Sequence, residues 1–391
     1  MKRFKDKNCI AAMILLHCFQ SVASDVPSDP DNAALLYYQA FLSSPGQYTE
    51  ISMPFEPSPS GAIEPSQTLR DYLKTCHDTF EFTKAAAQLP RCDWGLRYSL
   101  GDAAPMPYSQ PIRQLAFTVK TQALVYAADR NYRQALEYCL LIHSMAEHLG
   151  DENMVSFMIG GALHGLANKG IRQILGTMPP DREMFRWLDE KLTRRPRGEN
   201  LASTLKNEEA IQLITLRLDR DQLIELAKQW GGGALSPMRE ERLRHADAAF
   251  LEASRAYLVR SKAILHALVE APESYQTKLP KLEQYDERLR IEEETNPHAT
   301  LTAIFGTPVA RDYAFSLLIP TNLNAMRTAI KLYTIKAETG TLPAELPSGL
   351  PGDPFSDKAF IYLRTDDGFV LRNHFPVLGK DKPREYAFKV K

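Results

Sequence analysis

The chain has 391 residues, of which 47 are Lys or Arg and 48 are Asp or Glu, for a formal net charge of -1, with 44% hydrophobic and 24% charged residues. This length is enough for a sizeable core and, at roughly 150 residues per domain, for two or three units. The composition argues against intrinsic disorder and collagen-like repeats. The near-zero net charge argues against nucleic acid as a partner, because it leaves no global field to attract phosphates.

At the N-terminus, Lys2, Arg3, Lys5 and Lys7 form a basic stretch, Cys9 to Phe19 an apolar one, and Ser21-Val22-Ala23 a run of small residues. This is the pattern of a secretory signal cleaved after Ala23, which predicts a periplasmic or extracellular protein. The apolar run is shorter than the roughly 20 residues that span a bilayer, so a retained anchor is the lesser reading. His17, not a small residue, precedes Cys18, which disfavours lipidation. No later stretch has the length of uninterrupted apolar residues that a membrane span needs, so no transmembrane segment is expected after the signal.

Beyond the signal the chain reads as mainly α, an irregular helical bundle over 24–339 followed by a small β subdomain over 340–391 that packs on the last helix. A short helix is predicted over 32–42 with Asp31 or Asn32 as its cap, and Ser66 caps a second that runs to about Leu89. The Pro-, Ser- and Gly-bearing stretch between them, 45–65, is a loop. A second irregular stretch, 90–111, holds Cys92-Asp93-Trp94-Gly95 and a run of prolines, Pro105, Pro107 and Pro111, that cannot continue a helix. Helices at 111–128 and 132–148 then flank the turn Asp129-Arg130-Asn131. Ala123, Tyr126, Tyr132, Ala135, Leu136 and Tyr138 make this pair resemble one tetratricopeptide hairpin, yet no second copy occurs at that period, so a solenoid is not predicted. Further helices are expected at 151–177, 181–193, 200–230, 236–271, 281–294 and 310–338. The glycines and alanines of 160–167 allow another helix to approach closely. Gly231-Gly232-Gly233 reads as a joint. After Gly340, Ala359 to Leu363 and Phe369 to Leu371 around Thr365-Asp366-Asp367-Gly368 read as a β-hairpin.

Three stretches together resemble a family of exported, uncharacterised helical proteins of planctomycete-type bacteria: Asn32 to Phe41, Cys92 to Tyr98, and Leu350-Pro351-Gly352-Asp353-Pro354-Phe355-Ser356 with its hairpin. The resemblance covers most of the mature chain and implies export, but no activity. More loosely, the C-terminal region is similar to that of type II secretion major pseudopilins, in which a long helix leads through an Asp-Pro-aromatic step to a short sheet. The hydrophobic assembly helix of a pseudopilin is absent from Met1 to Ser24. Gly379-Lys380-Asp381-Lys382, where that family's calcium loop would fall, is mixed in charge and poorly suited to an ion that wants six to eight oxygens.

Candidate chemistry is sparse. Asp93, Arg97 and Tyr98, with Trp94 as a binding aromatic, bring a carboxylate, a guanidinium and a phenol into one loop, where functional groups often sit. The alternative is that Trp94 plugs the core while Asp93 caps a helix. His143, Glu147 and His148 share one helix as a candidate metal set, but the histidines diverge by about 140° around its axis and fit neither zinc-hydrolase spacing. A surface or core-edge cluster accounts for them as well. Cys76 and Cys92 are the nearest cysteine pair of the mature chain; they form a disulfide or stay as buried thiols. The charged runs Arg239-Glu240-Glu241-Arg242 and Glu292-Glu293-Glu294 read as solvated faces. No nucleotide-loop, nucleophile-elbow or calcium-loop motif is present, and no cofactor is implied.

The expectation is an exported helical protein that binds a protein or cell-envelope partner without catalysis. The alternatives are an envelope hydrolase with its site at the 92–98 loop and a pseudopilin-related appendage component.

Overall fold

The computed structural model describes residues 29–46, 64–194, 200–230 and 233–390. The signal read at 1–23, most of the 45–65 loop, and Gly231 and Gly232 lie outside these residues. Fourteen α-helices and one three-stranded antiparallel sheet make up the described fold, which is mainly α.

The first helix, α1 (Ala33–Ser43), is capped by Asn32, whose side chain accepts the Ala34 N–H at 3.1 Å. Ser66 caps α2 (Gln67–Thr75) through the Leu69 N–H. The single helix expected from here to Leu89 is two, because α3 (His77–Gln88) starts after a break at Cys76. The Tyr72 carbonyl that Cys76 N–H would have used is taken by the Thr75 hydroxyl and the Cys76 thiol, so the backbone turns to Leu73 instead.

The hairpin is formed by α4 (Ser109–Ala128) and α5 (Tyr132–Glu147), which meet at left-handed Arg130. Across this turn the rings of Tyr126 and Tyr138 meet edge to face at 5.1 Å. Next, α6 (Met154–Leu175), capped by Asn153, lies against both. Close approach is real here: a Cβ on Gly161 would fall 2.5 Å from the Phe315 ring, and one on Gly170 2.8 Å from Cys139 Sγ. Asp181 caps α7 (Arg182–Thr193).

The expected 200–230 helix also divides, into α8 (Leu201–Thr215) and α9 (Arg220–Trp230). A 3-10 turn at Tyr98–Ala103 abuts Thr215 with Gly101 at φ +58, where a Cβ would lie 2.3 Å from Thr215 Oγ1. The expected 236–271 helix becomes α10 (Pro237–Arg244) and α11 (Ala248–Glu270), because Asp247 starts a new helix by accepting the Phe250 N–H at 2.7 Å. By contrast α12 (Tyr275–Thr295) begins earlier than predicted and carries Pro280 within it. A short α13 (Thr300–Phe305), not foreseen, precedes the 31-residue α14 (Val309–Thr339), which Gly340 ends in the left-handed conformation.

The predicted hairpin is β1 (Ile361–Thr365) paired antiparallel with β2 (Gly368–Pro376), in the register Thr365 to Gly368. A third strand, β3 (Pro383–Lys389), pairs with the far edge of β2. Phe369 and Phe388 stack at 5.0 Å and both meet Tyr333 of α14, whose hydroxyl donates to the Lys389 carbonyl at 2.5 Å. The sheet therefore packs on the last helix, and Phe369, Leu371 and Phe388 are continuous with the core of α4, α5 and α6. Before it, Asp353 is fully buried. Its carboxylate accepts from the backbone N–H of Phe355 and His374, from Asn373 Nδ2 and from the Ser356 hydroxyl. This fixes the Asp-Pro-Phe step and seats Phe355 against Tyr275.

Candidate functional site

The 92–98 loop is spent on packing. Trp94 is 3% exposed, stacks on Tyr108 at 4.4 Å and on Tyr37 at 5.6 Å, and donates its indole N–H to the His148 carbonyl at 2.9 Å. Asp93 caps no helix. Its carboxylate accepts the Gly95 N–H in a local turn, and its backbone N–H and carbonyl are clasped by the Asn32 side chain. Arg97 is exposed, while the half-buried Tyr98 donates to Glu152 at 2.6 Å. Burial and that bond push the Tyr98 phenol upward, and burial likewise raises Glu152. Asp93 and Tyr98 thus face separate partners, and with Arg97 exposed no hydrogen bond or ion pair joins the three.

His143, Glu147 and His148 are not brought together. His148 Nε2 reaches the Leu89 carbonyl, which can only accept, so that nitrogen carries the hydrogen and Nδ1 accepts from the Tyr37 hydroxyl at 2.9 Å. His143 instead meets His164 of α6, Nδ1 to Nδ1 at 2.7 Å, in the core. No cluster of three His, Cys, Asp or Glu suited to a metal occurs among the described residues.

Cys76, Cys92 and Cys139 are all free thiols. Of the two readings open for Cys76 and Cys92, the structure has the free thiols, and Cys76 turns to the Tyr72 carbonyl of its own helix. Burial pushes Cys92 and Cys139 up to about 12, far from the thiolate that attack or metal binding needs.

Two arrangements escaped the sequence reading. One is a groove of about 500 Å3 between α2–α3 and the α4–α5 hairpin. Its floor is Leu73, Phe80, Val125, Tyr126 and Tyr138, and its rim carries Arg70, Lys74, His77 and Lys84. The rim cations pair with Asp129, Asp71 and Glu81. Only the amphipathic spacing of α2 and α3 hinted at it. The other is a buried charged seam where α8, α11 and α14 meet the 3-10 turn. It holds Glu208, Lys262 and Asp312, each under 10% exposed, with Asp102 beside them on Thr215 Oγ1 at 2.7 Å. Burial pushes Asp102 and Asp312 up to about 6, raises Glu208 and lowers Lys262. Glu208 accepts the Met154 N–H at the start of α6, and Asp312 accepts from Thr307. Such displaced carboxylates also occur at catalytic sites, but here each accepts a hydrogen bond from the protein itself, Glu208 from the start of α6, Asp312 from Thr307 and Asp102 from Thr215.

These features define a mainly helical protein with an aromatic core and no assembled catalytic constellation among the described residues. Compared with family models, with curated proteins and with solved structures, the chain matches none. No helix of the described residues is long and apolar enough to cross a membrane.

Proposed function

We propose that the chain is an exported, non-catalytic binding protein, and that the groove between α2–α3 and the α4–α5 hairpin receives an extended, acidic segment of a protein partner. The observation that carries this reading is the groove itself. It combines an aromatic floor, which supplies contact area at low entropic cost, with a rim of four basic groups, three of which meet the surface carboxylates Asp129, Asp71 and Glu81. The rim's ion pairs lie at the surface, where each contributes roughly 0–1 kcal/mol, so a partner's carboxylates can exchange into them. The signal-like N-terminus supports export, and the burial of Trp94 with the local turn at Asp93 weighs against an envelope hydrolase at that loop.

The test is fluorescence anisotropy with labelled peptides of equal length, one rich in Asp, Glu and aromatic residues and one rich in Lys. The acidic peptide should bind the mature protein, and Lys74→Glu with Lys84→Glu should weaken it roughly tenfold or more. Equal binding of both peptides, or indifference to the charge reversal, overturns the reading.

A further inference from the structure

A second concavity, of about 190 Å3, opens on another face, where α6, α14 and β3 meet. Lys169 and Arg172 reach it from α6, one turn apart, and Arg384 from β3. Neither the lining nor the ion pairs of the described residues give any of these three a carboxylate partner. The cations act on one another instead: burial and then Arg384 hold the Arg172 guanidinium below its ordinary range, and Lys120, 8% exposed on α4, is depressed to about 8 by burial and then by Lys169. Both shifts come first from burial, with a neighbouring cation as the second cause. The carboxylate that acts on Tyr386 of the lining is Asp353, and its oxygens are filled by the four donors described above.

Asn168 supplies the independent sign of a ligand. It lines the same pocket, is 7% exposed, and neither its Oδ1 nor its Nδ2 has a hydrogen-bond partner. A buried amide left unmet at both ends is destabilising, and a bound molecule would relieve that cost. Asn322, across the pocket on α14, has its Oδ1 occupied by the Tyr386 hydroxyl at 2.9 Å and its amide hydrogens left to donate. The floor is apolar, formed by Met326 and Phe388. At Gly165 a Cβ would meet nothing within 4 Å, in contrast to the tightly faced Gly161 and Gly170.

We propose that this pocket binds a small organic anion, a phosphate or carboxylate carried on an apolar body that also bears a hydroxyl or amine. Lys169, Arg172 and Arg384 hold the anionic group, with the guanidinium groups suited to paired oxygens. Asn168, whose amide atoms are almost wholly out of solvent, turns toward the ligand to donate through Nδ2 and accept through Oδ1, while Met326 and Phe388 cover the body. The site does not rest on the groove proposed above, which lies on other helices.

The test is isothermal titration of the full mature chain with inorganic phosphate, phenyl phosphate and mandelate at 0.15 M salt. Phenyl phosphate or mandelate should bind more tightly than inorganic phosphate, and whichever of the two wins tells phosphate from carboxylate chemistry. Arg172→Gln and Arg384→Gln should each weaken it roughly tenfold, the value of one charged hydrogen bond. Gly165→Leu, which fills the pocket with a better helix former and leaves every charge in place, should abolish binding without lowering the melting temperature. No binding of any probe at millimolar concentration, or binding that survives Gly165→Leu and both arginine variants, overturns the proposal.

Discussion

The α1–α6 region and the α8–α14 region are both helical, but they are held together differently. Around Trp94 the rings of Tyr37, Tyr38, Phe41 and Tyr108 stack or meet edge to face, and the α4–α6 interfaces are lined by alanine, leucine, isoleucine and glycine. The later helices bury Glu208, Lys262, Glu293 and Asp312 among smaller apolar clusters, where α1–α6 bury Lys120 alone of their described Lys, Arg, Asp and Glu. The first arrangement draws its stability from area removed from water. The second depends on specific partners, because a buried charge is tolerable only when it is paired or hydrogen-bonded.

The sharpest way to break this comparison is at Trp94. Trp94→Ala removes the centre of the aromatic cluster and should cost about 3–5 kcal/mol in denaturant unfolding. A loss near 1 kcal/mol would mean that the stack is peripheral to the core. In the other region Arg239 forms a bidentate pair with Glu293, at 2.6 and 2.8 Å, and Glu293 is 7% exposed. Arg239→Ala should cost roughly 2–3 kcal/mol by leaving that carboxylate without its cation, less than for a fully buried pair because Arg239 is partly solvated. Arg239→Lys, which keeps the charge but not the paired geometry, should recover part of the loss. An equal cost for the lysine and alanine variants would assign it to packing instead.

The smallest effect concerns Asp312, pushed up to about 6 by burial. Its folded pKa lies above the unfolded value near 4. The stability it contributes is therefore full below pH 4 and is lost as pH rises through 6. Asp312→Asn keeps an acceptor for Thr307 and cannot ionise, so at pH 7.5 it should raise stability by about 1–2 kcal/mol, and at pH 4 by almost nothing. Thermal melts at the two pH values check this, and an equal effect at both would remove the charge from the explanation.

What the sequence made legible follows the same division. Asn32, Ser66 and Gly340 mark helix ends by local chemistry, and the Thr365 to Gly368 turn announces its hairpin, so these were readable residue by residue. The breaks after Cys76 and Thr215 and before Asp247 were not. At Cys76, ordinary side chains take the Tyr72 carbonyl that would have continued the helix. At Thr215, the cause is Gly101 and Asp102, more than a hundred residues away. The charged runs also misled. Arg239 and Arg242 are not merely solvated: Arg242 donates to the carbonyls of Glu293 and Glu294, so the pair clamps the end of α12. β3 went unread because its alternation is short and charged. The basic pocket could not be inferred either, since Lys169 and Arg172 look like any exposed helix face until β3 carries Arg384 to them.

The His143 and His164 rings, Nδ1 to Nδ1 at 2.7 Å, have a consequence of their own. Two such nitrogens can bond only if a single hydrogen lies between them, so one ring is a donor there and the other an acceptor. The two imidazoles form an asymmetric pair, with the hydrogen resident on one helix or the other. A second hydrogen at that point would turn the bond between α5 and α6 into a repulsion, so the hairpin and the helix behind it are joined through an atom that can be counted.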